Sequence, residues 1–61
     1  MRMHRGDLIT NGKVDFTIDN FWYRGDKITR VELKSKENGK IYTYEILDYE
    51  QAIRKGKIWK K

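Results

Sequence analysis

The sequence contains no cysteine, one histidine and one serine. Without cysteine, neither a disulfide framework nor a thiolate zinc site can staple a chain of 61 residues, so packing has to hold the fold. The scarcity of nucleophiles and bases bears on chemistry. His4 lies near the amino terminus and Ser35 falls inside a strand pattern, which leaves no nucleophile–base pair on which to build covalent catalysis. The five glycines are scattered singly, so no phosphate-cradling loop exists. Asp7, Asp15, Asp19 and Asp26 follow no cation-loop spacing and are read as turn caps and solvated strand positions. No apolar run approaches the ~20 residues of a membrane span, and no apolar stretch follows Met1–Arg5 as a secretory signal would. These absences point to a non-enzymatic cytoplasmic protein with no metal, cofactor or membrane partner.

What is present suits a single small domain over residues 1–61, with residues 1–5 expected to be a mobile amino terminus. Hydrophobic and charged residues each make up 38%, and eight rings (two Trp, four Tyr, two Phe) supply a small core. The net charge of +5 is unevenly placed. Residues 1–53 carry nine basic and nine acidic side chains, which cancel; Arg54, Lys55, Lys57, Lys60 and Lys61 meet no acid in the last eight residues.

Two Asn-Gly pairs mark turns. Val31–Lys36 and Lys40–Leu47 flank Asn38-Gly39, a pair suited to a type I′ hairpin with Glu37 opposite Lys40. That register sets Ser35 across from Tyr42, Leu33 from Tyr44 and Val31 from Ile46 on a mostly apolar face, and Glu32 from Glu45 on the other. Asn11-Gly12 separates Asp7–Thr10 from the alternating segment Lys13–Asp19, in which Val14, Phe16 and Ile18 share a face. Arg5-Gly6-Asp7 and Arg24-Gly25-Asp26 each precede an extended segment. They match an adhesion tripeptide but are read as turn chemistry, with Gly relieving the backbone and Asp capping N–H groups. Asn20–Gly25 is read as an aromatic connection.

Asp48 and Gln51 have the spacing of a capping box, which predicts a short helix. Tyr49, Ala52 and Ile53 lie on its one face, and Gly56 provides the stop. Lys57–Lys60 is read as a short last strand. This order resembles an SH3-like small β-barrel, with a tight hairpin between central strands and a helical turn before the last strand. The resemblance covers Gly6 to Lys60 and rests on element order alone. It implies a mainly β fold of about five antiparallel strands with one short helix. The alternative is an open antiparallel sheet with the helix across one face.

A basic segment containing a ring attracts phosphates and offers a stacking surface. The leading expectation is a nucleic-acid-binding module using Arg54, Lys55, Lys57, Trp59, Lys60 and Lys61, helped by Tyr23 and Arg24. Its contacts, to DNA or RNA, would be mainly to phosphate, since no base-reading helix is evident. The alternative is a small accessory or inhibitor protein, of a size frequent in bacteria and their viruses. It would bind a larger enzyme or complex through Phe21, Trp22 and Tyr23 and a free sheet edge.

Overall fold

A computed structural model describes residues 3–61. It contains β1 (Leu8–Thr10), β2 (Asp15–Arg24), β3 (Lys27–Ser35), β4 (Ile41–Glu45), α1 (Ile46–Arg54) and β5 (Trp59–Lys60). The strands form one antiparallel sheet in the order β4-β3-β2-β1-β5. The sheet is open: β4 and β5 stand at opposite edges, so the barrel closure implied by element order is absent and the open-sheet alternative is the architecture found. β5, with only two residues, offers little edge with which β4 could pair to close the sheet.

The aromatic run 21–23 belongs to β2 and is not a connection. The chain turns instead at Gly25-Asp26, where Gly25 takes φ +65° and Asp26 stays negative, the sign pattern of a type II′ turn with Arg24 opposite Lys27. Within this hairpin Ile18 opposes Leu33. One residue, Asp19, is then extra on β2, so that Asn20 meets Glu32 and Phe21 meets Val31. The bulge inverts the alternation. Unbroken period-two spacing would put Trp22 on the same side as Phe16 and Ile18; with the bulge it is Phe21 that joins them, and Trp22 faces outward. A second irregularity, with Thr29 extra on β3, sets Tyr23 opposite Ile28.

The β3–β4 connection also differs from the tight turn expected. Leu33 pairs with Tyr42, Val31 with Tyr44 and Arg30 with Glu45, two residues offset from the expected register. Lys36–Gly39 form a four-residue loop closed by Ser35 and Lys40, and Asn38 does not adopt the positive φ a type I′ turn demands. The buried Ser35 hydroxyl accepts the Glu37 and Asn38 N–H groups, which favours the wider loop. A shift of two preserves the facing of every side chain, and it replaces the expected Glu32–Glu45 repulsion with an Arg30–Glu45 pair. Asn11–Val14 form a comparable four-residue loop, leaving Val14 outside the strand. Its Asn11 side chain accepts the Lys13 and Val14 N–H groups, and the Thr10 hydroxyl accepts the Gly12 N–H.

Ile9, Ile18, Val31, Leu33 and Tyr49 are fully buried, with Met3, Phe16, Phe21, Ile46, Ile53 and Ile58 packed around them. This core lies between α1 and one sheet face. The helix starts two residues before the expected capping box, with Glu45 at the N-cap and no side-chain cap bond; Asp48 sits in the first turn. The earlier start brings Ile46 into line with Tyr49 and Ile53 at helical spacing, so apolar burial outweighs the cap. Gly56, at φ +75°, ends the helix as anticipated. Its N–H donates to the Ile53 carbonyl and the Lys57 N–H to the Ala52 carbonyl, a Schellman arrangement.

Of the amino-terminal residues expected to be mobile, Met1 and Arg2 lie outside the described residues. Met3 packs on the core, the His4 N–H donates to Asp7, and Arg5 Nε donates to the Asp19 carbonyl. Among the described residues no helix is long and apolar enough to cross a membrane.

Candidate nucleic-acid interface

The Schellman turn dictates how the basic carboxyl end is displayed. It reverses the chain at Gly56, so Arg54 and Lys55 end the helix while Lys57 opens the path to β5. All three are exposed, and none has a carboxylate within ion-pair distance among the described residues. The other two late cations differ. Pairing of β5 with β1 brings Lys60 Nζ to 3.5 Å from Asp7 Oδ2, and Lys61 Nζ to 2.8 Å from Asp15 Oδ2. The Lys61 ammonium, followed by the Thr10 hydroxyl, holds the Asp15 carboxyl below its ordinary range. Trp59 is 46% exposed and rests on the Asn11–Val14 loop, where a Cβ built on Gly12 would come within 3.2 Å of its ring.

Tyr23 and Arg24, expected to assist these cations, lie at the other end of the sheet. Trp59 pairs with Thr10, which pairs with Asp15 at the start of β2, and Tyr23 is eight residues further along. That corresponds to roughly 26 Å of strand. There the β2–β3 hairpin projects beyond the end of β4, leaving an open groove of about 570 Å³ lined by Trp22, Tyr23, Arg24, Lys27, Arg30 and Leu47, among others. Strand alternation puts Trp22, Arg24, Lys27, Arg30 and Lys34 on the sheet face that α1 does not cover. Trp22 is held from two sides: the Arg30 guanidinium stands 5.8 Å from its ring centre, and its Nε1 donates to Glu32 Oε2.

The structure thus separates two groups that sequence reading had joined. The cations of residues 54–61 share one end with Trp59; Tyr23 and Arg24 share the other with Trp22. Lys27 and Arg30 were missed by sequence reading. The signal for Lys27 was the Gly25-Asp26 turn, which places it beside Arg24; Arg30 meets Trp22 only through the bulged register, which no local pattern announces. The three aromatic anchors of the alternative reading are also divided. Phe21 packs against the core, whereas Trp22 and Tyr23 are 48% and 61% exposed. No grouping of three or more His, Asp or Glu suited to a metal ion occurs among the described residues. No family model, curated protein or solved structure matches the chain.

Proposed function

We propose that the protein is a non-enzymatic module that binds nucleic acid by its phosphates through Arg54, Lys55 and Lys57, with Trp59 beside them. What supports this reading is that the whole excess of positive charge falls in the last eight residues and that these three side chains remain exposed and without acidic partners among the described residues. Lys60 and Lys61 contribute less because Asp7 and Asp15 already balance them. Three neutralised phosphates correspond to a log–log salt slope of about −2.7 on duplex DNA. Titrating a labelled DNA duplex at several salt concentrations tests the reading. The triple variant Arg54→Ala, Lys55→Ala, Lys57→Ala is expected to abolish that slope, and no binding by the unaltered protein at low salt would refute the proposal.

One observation favours a second reading, a protein-binding module. Every residue of β4, Ile41–Glu45, is exposed along a free sheet edge, which offers unpaired backbone groups to a partner strand. A partner retained after nuclease treatment and at high salt, and lost when Thr43 is replaced by proline, would support it.

A further inference from the structure

We infer that the uncovered sheet face around Trp22 receives a single strand of nucleic acid, with one base stacked on the indole. The inference rests on the nucleic-acid reading above and adds a second surface and a strand preference to it.

Three observations carry it. First, Trp22 is presented and held: Arg30 stands over the ring, Glu32 accepts its N–H, and nearly half of its surface stays in water. A ring fixed in this way loses little freedom when a base stacks on it. Second, the charge on this face is complementary to a phosphodiester chain. Arg24, Lys27, Arg30 and Lys34 share it. Of the acids there, Asp15 is balanced by Lys61, while Glu32, which keeps its charge as it accepts the neutral indole N–H, and Glu45 opposite Arg30 leave the four cations an excess of two. From Arg24 and Lys27 to Lys34 the cations follow β3 for roughly 23 Å, a track rather than a point. Third, the groove beside Trp22 is open and shallow, formed because β4 ends at Glu45 while the β2–β3 hairpin continues past it. Bases inside a duplex are already stacked on their neighbours and cannot use the ring; an unpaired base can.

The second tryptophan makes the two surfaces separable. In Trp59→Phe, Trp22 becomes the sole tryptophan, and its emission reports on the sheet face alone. The probes are a labelled thymidine decadeoxynucleotide and a ten-base-pair DNA duplex, followed by anisotropy and by Trp22 emission. The decamer is expected to quench Trp22 strongly. Trp22→Ala should weaken decamer binding by about 5- to 150-fold, the effect of one stacked base, and leave duplex binding within about twofold. Trp22→Phe, which keeps a ring, should recover most of the loss, and circular dichroism of each variant verifies folding. Decamer binding that leaves Trp22 emission unchanged, or survives Trp22→Ala intact, overturns this inference while the phosphate-binding reading stands. Absence of binding by both probes at low salt overturns both.

Discussion

The bulge at Asp19 makes a prediction that contradicts simple alternation. It assigns Phe21 to the core and Trp22 to the uncovered face, although period-two counting from Phe16 and Ile18 gives the reverse. Replacing each by threonine keeps strand propensity and removes the ring. Truncating an enclosed phenylalanine costs about 3–5 kcal/mol, and the partial enclosure of Phe21 argues for the lower end, about 3 kcal/mol. Trp22 loses an exposed cation–π contact of about 0.5–1 kcal/mol and packing on one side only, so about 1 kcal/mol is expected. For a domain of this length total stability is about 3–9 kcal/mol, so the first substitution is severe and the second mild. With a urea m-value of about 1 kcal/mol/M, the midpoints should fall by about 3 M and about 1 M, read by far-UV circular dichroism. Deleting Asp19 would place Phe21 two residues after Ile18, so unbroken alternation would keep both on the core face and Trp22 outward, and the deletion should cost less than Phe21→Thr. Equal costs for the two threonine variants, or a deletion of Asp19 as damaging as Phe21→Thr, would refute this account of the sheet.

Other consequences follow from single contacts. Gly12 sits at φ +92° beneath Trp59, so Gly12→Ala should cost about 1–2 kcal/mol and shift Trp59 emission, measured in a Trp22→Phe background. The Asp15 carboxyl is held below its ordinary value of 3.8 in the fold, so its stabilising contribution is present above that pH and fades as pH falls through the folded value. In Lys61→Ala, an NMR titration of Asp15 should return close to the ordinary value, and an unchanged curve would refute the ion pair. Ser35→Ala removes the acceptor for two loop amides and should cost about 1 kcal/mol, with faster hydrogen exchange at Glu37 and Asn38.

Local chemistry was sufficient for much of this protein. Antiparallel strands, one short helix stopped by Gly56, turns at the Gly-Asp pairs and a basic end were legible because each depends on neighbours within a few residues: a glycine at positive φ, apolar side chains at helical spacing, a run of cations. Three features needed the tertiary structure. The β3–β4 register moved by two because a buried Ser35 hydroxyl and the Arg30–Glu45 pairing favour the wider loop, and neither preference exists until the strands meet. The helix began at Ile46 because the core, once formed, rewards that side chain more than a cap at Asp48. The surface chemistry was decided last: pairing of β5 with β1 brought Lys60 and Lys61 to carboxylates far away in sequence, and the bulge at Asp19 turned Trp22 outward beneath Arg30. Charge and ring content are properties of composition, but which cations stay unpartnered and which rings face water depend on strand register, which long-range packing selects.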